Sequence, residues 1–319
     1  AQAASPASGD NAAASAIPAE PILQPAVRSP HAARAGLLAG ARAGQRIVAV
    51  GERGVVMLSD DGRAFRQARQ VPVDVTLNSV SFVDDKQGWA VGHWGVVLAT
   101  RDGGETWQLQ RQSVKEDRPL FSVHFFDASH GVAVGLWSLV LVTQDGGANW
   151  KVVTPPPPEG AKKADLNLLG LFADAGGRLY AAAEKGMVLW SDDRGQNWSY
   201  ADTGYKGSLW AGVALPGGSL LAGGLRGSLY RSADRGRTWS RVEQASKASI
   251  TAMLPCGDGA LVAGLDGLLL RSGSASAAFK PMDLPERDAL TSLALAADGR
   301  PVLFSRRGVV ATPPDLSCK

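Results

Sequence analysis

The chain contains few of the residues on which most catalytic sites depend. Its 319 residues include two cysteines, four histidines and four tyrosines. His31, His93, His124 and His130 show no metal-ligand spacing, and we expect no metal at the two cysteines. The Gly-x-x-Gly strings resemble hairpin turns between strands rather than the strand-to-helix loops that bind phosphate. We therefore expect no metal, no cofactor and no redox chemistry.

Long apolar runs and a strong charge imbalance are also missing. No uninterrupted apolar stretch approaches the ~20 residues that a membrane-spanning helix requires. The net charge of +3 is too small to indicate a nucleic-acid partner. With 45% apolar and 20% charged residues, the composition is typical of a globular protein. We expect no direct membrane span, no nucleic acid and a monomeric state for the protein on its own.

The chain lacks an initial methionine, and its first residues have a biased composition. Residues 1–19 are mostly Ala, Ser, Pro, Gly and Asn, which cannot form a core, so they are predicted to be a disordered leader. The opening Ala-Gln-Ala-Ala resembles the start of an exported protein after cleavage at a small-residue site. A chain trimmed of a tag would look similar. We expect export, with a single domain over residues 20–319.

A repeat of about 41 residues dominates the rest of the chain. Its motif is Gly-x-x-Gly, an apolar run, then Ser/Thr-x-Asp-x-Gly-x-Thr/Asn-Trp, and the fullest copies are 92–107 and 224–239. A period in the 40s with short strands indicates a β-propeller. Seven copies predict an all-β fold, a seven-bladed propeller of four-stranded antiparallel blades. The copies align on Gly54, Gly95, Ser138, Gly186, Gly227, Gly267 and Gly308.

The seventh unit supplies only three strand-like runs. These are residues 290–295, 301–305 and 309–312, after which the chain nearly ends. The segment 21–27 precedes the first unit and has no place in it. We predict that it closes the ring as the fourth strand of the seventh blade, at an edge position because it contains two prolines.

The repeated Asp-box residues are predicted to build turns rather than a site. An Asp carboxylate in such a turn accepts backbone N–H bonds, and the Trp returns into the blade interface. Repetition places them one per blade, far from each other, which excludes a shared carboxylate site. The predicted structural residues are Asp61, Asp102, Asp145, Asp193, Asp234, Trp107, Trp150, Trp198 and Trp239.

The turns between the second and third strands are predicted to lie on the opposite face. A two-residue turn does not require Trp or Arg, so these side chains are free to bind a protein partner, for which Trp and Arg are favoured anchors. Alternatively, the tryptophans pack over the next blade and the arginines are merely solvated. The candidate partner-binding residues are Arg53, His93, Trp94, Trp137, Lys185, Arg226, Arg306 and Arg307.

The two cysteines lie in units that are neighbours in the ring. Cys256 is in a turn of the sixth unit and Cys318 is near the C-terminus, so a disulfide that tethers the tail is geometrically possible. It would add about 4 kcal/mol in an oxidising compartment. Two unrelated thiols fit the spacing equally well.

Residues 82–95 and 100–107 carry a family resemblance. Phe-Val-Asp-Asp-Lys-Gln-Gly-Trp-Ala-Val-Gly-His-Trp-Gly followed by Thr-Arg-Asp-Gly-Gly-Glu-Thr-Trp resembles the photosystem II assembly and stability factor family, including its relatives in non-photosynthetic bacteria. The resemblance implies a non-catalytic propeller, periplasmic or lumenal, that helps to assemble a membrane protein complex such as a transporter or a photosystem. It also implies an arginine-rich binding face, for which Arg53, Arg226, Arg306 and Arg307 are the nearest candidates.

A sialidase-like glycoside hydrolase is the alternative, because Asp-boxes also occur in sialidase propellers. Such a site needs several central arginines, a Tyr nucleophile with a Glu partner, and a further acidic residue. The chain has no Arg-Ile-Pro motif; its nearest string is Arg46-Ile-Val. Of the four tyrosines, only Tyr205 falls in a predicted exposed connection.

Overall fold

The chain folds into a ring of seven antiparallel sheets in a computed structural model that describes residues 23–319. Within that range six sheets have four strands and the seventh has three. The first strand of each sheet contacts the first strand of the next, and those of sheets seven and one also touch. The sheets are the blades of a seven-bladed β-propeller, which confirms the fold class predicted from the repeat.

The strands follow one another in chain order from the inside of each blade outward. Blade one contains β1 (Leu37–Ala43), β2 (Arg46–Gly51), β3 (Val56–Ser59) and β4 (Arg66–Gln67). Blade two contains β5 (Leu77–Phe82), β6 (Gly88–Gly92), β7 (Val97–Thr100) and β8 (Gln108–Arg111). Blade three contains β9 (Leu120–Phe125), β10 (Gly131–Gly135), β11 (Val140–Thr143) and β12 (Lys151–Val153). Blade four contains β13 (Leu168–Ala173), β14 (Leu179–Ala183), β15 (Met187–Ser191) and β16 (Ser199–Asp202). Blade five contains β17 (Leu209–Ala214), β18 (Leu220–Gly224), β19 (Leu229–Ser232) and β20 (Ser240–Arg241). Blade six contains β21 (Ile250–Cys256), β22 (Gly259–Gly264), β23 (Leu269–Arg271) and β24 (Lys280–Pro281). Blade seven contains β25 (Leu290–Leu295), β26 (Pro301–Ser305) and β27 (Gly308–Val310).

Helical structure is confined to short turns. Between residues 23 and 319 no helix is both long and apolar enough to cross a bilayer. The 3-10 turns are Ala32–Arg34, Glu52–Gly54, His93–Gly95, Leu136–Ser138, Glu184–Gly186, Leu225–Gly227 and Leu265–Gly267.

The second and third strands of each blade are packed on both faces by neighbouring blades. Every residue of β6 and β7 is buried, which explains why these runs are apolar throughout rather than alternating. Adjacent blades share each hydrophobic cluster. Between blades one and two the shared cluster includes Val48, Leu58, Ala90, Leu98 and Trp107.

The Asp-box closes the turn between the third and fourth strands. In blade two the Asp102 carboxylate accepts the Thr106 backbone N–H (2.9 Å) and hydroxyl (2.6 Å), as well as the Thr100 hydroxyl (2.9 Å). The Trp107 indole N–H donates to the Gly104 carbonyl, and the ring is 2% exposed. These bonds use the carboxylate within its own turn. Equivalent carboxylate bonds occur at Asp145, Asp193 and Asp234.

Side chains near the start of the first strands tie neighbouring blades together. Each of the seven first strands has a β-bulge near its start. In three blades the extra residue at this bulge is polar. Its side chain donates to the backbone carbonyl of the first residue of β1, β9 or β25, which is the first strand of the next blade. The three residues are Asn78, Thr251 and Thr291. The Thr291 hydroxyl reaches the carbonyl of Leu37 and so joins blade seven to blade one.

Residues 23–27 do not form the fourth strand that we predicted for blade seven. The Ala26 N–H donates to the Val71 carbonyl (3.0 Å), and the Gln67 side chain bonds the Val27 carbonyl (2.9 Å). The segment is held there because Leu23 and Ala26 pack on the cluster between blades one and two. Positions 21 and 22 of the predicted strand, and the predicted leader 1–19, lie outside the described residues.

The C-terminal tail returns to the interface of blades six and seven. Cys256 and Cys318 are joined by a disulfide, and the Cys318 N–H donates to the Gly299 carbonyl (2.8 Å). Leu316 is 1% exposed in the cluster that blades six and seven share. Blade seven has no Asp-box, and the tail packs at the interface that an Asp-box aromatic covers in other blades.

His124 on β9 should make stability depend on pH. Its ring is mostly buried against the edge of Phe126, with ring centroids 4.8 Å apart, and burial lowers the pKa of His124 to about 4. The unfolded chain, with a His pKa of about 6.5, takes up the proton first as the pH falls. The stability that the neutral, buried His124 ring contributes to the fold is therefore complete above pH ~6.5 and is lost as the pH falls towards ~4. We expect about 2 kcal/mol less stability at pH 5 than at pH 7.5.

Urea unfolding of the wild type and of His124→Gln at both pH values measures this loss. Carboxylate contributions are the same in the two proteins, so the difference between their pH dependences isolates the histidine. Equal pH dependence in the two proteins would contradict the assignment.

Candidate partner-binding face

The turns between the second and third strands lie on one face of the ring with the connections between blades. The His93 N–H donates to the Thr76 carbonyl (3.0 Å), and the Leu265 N–H donates to the Ser249 carbonyl (2.9 Å), each in a connection between blades. We call this surface the turn face. Since antiparallel strands return the chain to the same side at each of these turns, all eight candidate partner-binding residues lie on it.

The turns hold large side chains in a backbone conformation that disfavours them. In six turns one central residue has φ between 52° and 56°, where a residue other than Gly costs roughly 1 kcal/mol or more. The Gly-x-x-Gly pattern does not show which central residue takes this conformation, so the positive φ at these positions could not be predicted from the sequence. The fold itself gives no reason for large side chains here. The six residues are Arg53, Trp94, Trp137, Lys185, Arg226 and Asp266.

Trp137 is the exposed aromatic residue of the turn face. Its side chain is 58% exposed, whereas Trp94 on the neighbouring blade is half-buried. The backbone of Trp137 is fixed on both sides: its N–H donates to the Asn167 side chain (3.0 Å), and its carbonyl accepts from the Arg118 guanidinium (3.0 Å). The backbone at Trp137 is therefore held in place. His93, beside Trp94, is also exposed.

The cations of the turn face are not equivalent. Arg307 bonds the Asp288 carboxylate at 2.6 Å, which raises the pKa of Arg307 and balances its charge. Arg53 and Arg306 are exposed and have no hydrogen-bond or ion-pair partner for their side chains among residues 23–319. They lie on blades one and seven, which are adjacent. Lys185 and Arg226 are also exposed, but they lie on blades four and five, away from Arg53 and Arg306.

A groove of about 910 Å³ opens beside Arg53. It is also lined by His31, Arg34 and Asp74, and the turn that contains Arg34 contacts β27 of blade seven. Sequence reasoning missed Arg34 because the segment before β1 has no counterpart in the repeat. Basic residues recur at every third position of this segment, at Arg28, His31 and Arg34. This pattern could have identified Arg34 as a candidate.

Three of the four tyrosines, Tyr180, Tyr200 and Tyr205, have hydroxyl groups that are hydrogen-bonded within the fold. Tyr180 lies beside Asp174 (3.0 Å), which also bonds Arg235, but Tyr180 is fully buried between blades. Burial raises the pKa of Tyr180, which disfavours the nucleophilic phenolate. Tyr200 and Tyr205 donate to backbone carbonyls. Across residues 23–319 no group of three His, Cys, Asp or Glu side chains could hold a metal ion.

Comparison with known proteins places these features in a family. The profile described as photosynthesis system II assembly factor YCF48 matches residues 60–155 and 109–254, which together cover more than half of the chain. A 42-residue segment is 43% identical to photosystem II assembly protein Ycf48 of Thermosynechococcus vestitus, and it spans 13% of this chain and 12% of that protein.

Two solved structures share the fold at low sequence identity. YCF48 bound to a D1 peptide superposes with a TM-score of 0.70 and 18% identity, covering 90% of this chain and 96% of that chain. YCF48 from Cyanidioschyzon merolae superposes with a TM-score of 0.68 and 17% identity, covering 87% and 95%. At these identities the likeness concerns the propeller and not individual site residues.

Proposed function

The chain belongs to the photosynthesis system II assembly factor YCF48 family, and on that premise we propose that it is a non-catalytic assembly factor that binds a membrane protein through its turn face. The partner we propose is a subunit of a transporter or of a photosystem-like complex. The observation that carries the proposal is the exposure of Trp137 and of unpaired Arg53 and Arg306 on one face, two of them at positions where the backbone disfavours large side chains.

A peptide segment is the class of ligand that this face suits. One solved member of the family carries a D1 peptide. Trp and Arg dominate the energetics of protein interfaces, because each combines a large contact area with directional polar groups. The groove beside Arg53 has the size of a small-ligand or peptide subsite, and the exposed guanidinium groups of Arg53 and Arg34 favour acidic side chains in it.

We place the protein outside the cytoplasm, in the periplasm or a lumen. The Cys256–Cys318 disulfide supports this location, because disulfides persist in oxidising compartments and are rare in the cytosol.

Charge reversal on the turn face should weaken partner capture. Arg53→Glu/Arg306→Glu replaces both unpaired guanidinium groups, and we expect capture of its membrane-protein partner to fall by at least about tenfold, or ~1.4 kcal/mol. Added salt should weaken wild-type capture, since exposed charges are screened. The protein is incubated with detergent-solubilised membranes, crosslinked, and the captured subunits are quantified by mass spectrometry.

Arg101→Glu/Arg237→Glu is the matched control. It makes the same charge change at two exposed arginines in Asp-box turns, on the face opposite to the turn face. We expect it to capture the partner as the wild type does. Equal capture by both double variants would show that the turn face is not the binding face.

A further inference from the structure

Blade seven has an open outer edge. Among residues 23–319, β27 pairs with β26 on one side and with no strand on the other. The register pairs Ser305 with Gly308 across a two-residue turn, so Val309 occupies the next, non-bonded position. Bonded and non-bonded pairs alternate in antiparallel strands, and the N–H and C=O of Val309 therefore face away from β26. This leaves backbone groups available for another strand.

The space beside this edge corresponds to a fourth strand. A cavity of about 320 Å³ lies between β27 and the Asp-box turn of blade one, and it is lined by Val309, Ala311, Gly62 and Arg63. In blade two the same space is filled by β8, whose Gln110 side chain donates to the next Asp-box at the Gly146 carbonyl (3.0 Å). The repeat thus shows what covers this position elsewhere in the ring.

No strand formed by residues 23–319 fills this space, although the Arg300 guanidinium lines it and donates to the Asp61 carbonyl (3.2 Å). The turn Ala32–Arg34 lies against Gly308 and covers only the beginning of β27. After Ala311 the Thr312 hydroxyl donates to the Pro301 carbonyl (2.8 Å), and the tail then turns to blade six, where Leu316 is buried. The open stretch is therefore residues 309–311, and the fourth strands of other blades are two to four residues long.

The open edge has a basic wall. The Arg63 side chain is exposed and has no partner within the described range. At the other end of β27 the turn contains Arg306, which is exposed and also has no side-chain partner among residues 23–319. A segment that extends along β27 would thus pass unpaired guanidinium groups at both ends, which favours carboxylates over ammonium groups.

We propose that an extended, acidic segment of the membrane-protein partner pairs with β27 and completes blade seven as its fourth strand. The identity of the occupant as a partner segment rests on the proposed function. Strand addition to an exposed edge is a recurring mode of peptide recognition, in which backbone hydrogen bonds supply affinity and flanking side chains supply specificity. The partner would thereby also cover an edge that is prone to unwanted pairing.

Hydrogen exchange on the full chain tests whether the edge is open. We expect the backbone N–H groups of Val309 and Ala311 to exchange rapidly, whereas in blade two the N–H groups of the third strand β7 that face β8 are protected by pairing with it. Slow exchange at Val309 and Ala311 in the isolated protein would overturn the proposal, because another part of the chain would then occupy the edge.

Peptide binding tests the occupant. Binding affinity is measured by fluorescence anisotropy for two pools of eight-residue peptides, whose termini are capped and whose residues alternate between Val and Ser. The peptides of one pool carry a central Glu, and those of the other carry a central Lys. We expect the Glu pool to bind about tenfold more tightly and to slow exchange at residues 309–311. Ala311→Pro removes an outward N–H and should weaken binding about tenfold, whereas Ala311→Ser retains the N–H and should bind as the wild type does.

Arg63→Ala provides a variant that does not perturb the strand. We expect it to weaken the Glu pool at least fivefold, since it removes one exposed charge near the peptide. Arg237→Ala removes an exposed arginine from the corresponding turn of blade five, which faces a blade with a complete fourth strand, and should have no effect. Binding that neither Ala311→Pro nor Arg63→Ala changes, or no preference for Glu over Lys, would overturn the proposal. Because these tests involve no membrane extract, they are independent of the capture experiment with Arg53 and Arg306.

Discussion

Removal of the Cys256–Cys318 disulfide should lower the free energy of unfolding by about 4 kcal/mol. The crosslinked residues are 62 positions apart, and in the chain-entropy account a loop of this length restricts the unfolded chain by that amount. For a domain of this size such a loss corresponds to a fall in Tm of roughly 6 °C. Thermal and urea unfolding of the oxidised wild type and of Cys256→Ser/Cys318→Ser provide the measurement.

The effect should be concentrated at the tail. Cys256 is 2% exposed and Leu316 is 1% exposed, so release of the tail opens the cluster between blades six and seven to water. We expect limited proteolysis to remove the tail from the double variant much faster than from the oxidised wild type. A reductant should destabilise the wild type and leave the double variant unchanged. Identical unfolding midpoints for the oxidised wild type and the variant would contradict this role.

The sequence predicted the ring because each blade is one chain segment with its own turn signals. The spacing of the Gly-x-x-Gly turns gave seven blades, and the strands 290–295 and 301–305 were predicted with the bounds that the structure shows. The last strand was predicted at 309–312 but spans Gly308–Val310, because the Thr312 hydroxyl bonds Pro301 and the chain turns away. Local pattern thus fixes the repeated units better than it fixes their ends.

Closure of the ring could not be predicted in the same way. Residues 23–27 contain apolar side chains that fit several blade interfaces, and only the folded ring shows that Leu23 and Ala26 pack at blades one and two. The bulged threonines that bond the next blade are likewise indistinguishable in sequence from other strand threonines. These features depend on contacts between distant segments, such as Thr291 with Leu37.

The candidate face was predicted as a set of positions but not as a set of charges. Repeat alignment placed Arg53, Arg306 and Arg307 on one face. Nothing in the sequence indicates that Arg307 is paired with Asp288, 19 residues earlier, while the other two have no side-chain partner among residues 23–319. It also could not rank Trp137 above Trp94, because exposure depends on the connections on either side of each turn.

Asp192→Ala should destabilise the protein by about 3 kcal/mol, because it leaves a buried guanidinium group without its carboxylate. Arg178 is 6% exposed and bonds Asp192 through two nitrogen atoms, each at 2.7 Å. It also donates to the Arg235 carbonyl (3.0 Å) and lies 4.1 Å over the Trp190 ring. The Arg235 carbonyl belongs to blade five and the other partners to blade four, so an unpaired charge there weakens the interface between the two blades. Urea unfolding measures the loss.

A double variant distinguishes the destabilisation caused by the unpaired Arg178 charge from the net stabilisation that the Arg178–Asp192 pair provides. Arg178→Met/Asp192→Ala removes both charges and keeps an apolar side chain over Trp190, so it should be more stable than Asp192→Ala alone. Arg241→Ala is the matched control: the side chains of its pair with Glu243 are 64% and 84% exposed, and exposed pairs contribute about 1 kcal/mol or less. If Asp192→Ala and Arg241→Ala lost equal stability, burial of Arg178 would not be the cause. If the double variant were the least stable of the three, the ion pair itself would be stabilising, and blades four and five would depend on it for cohesion.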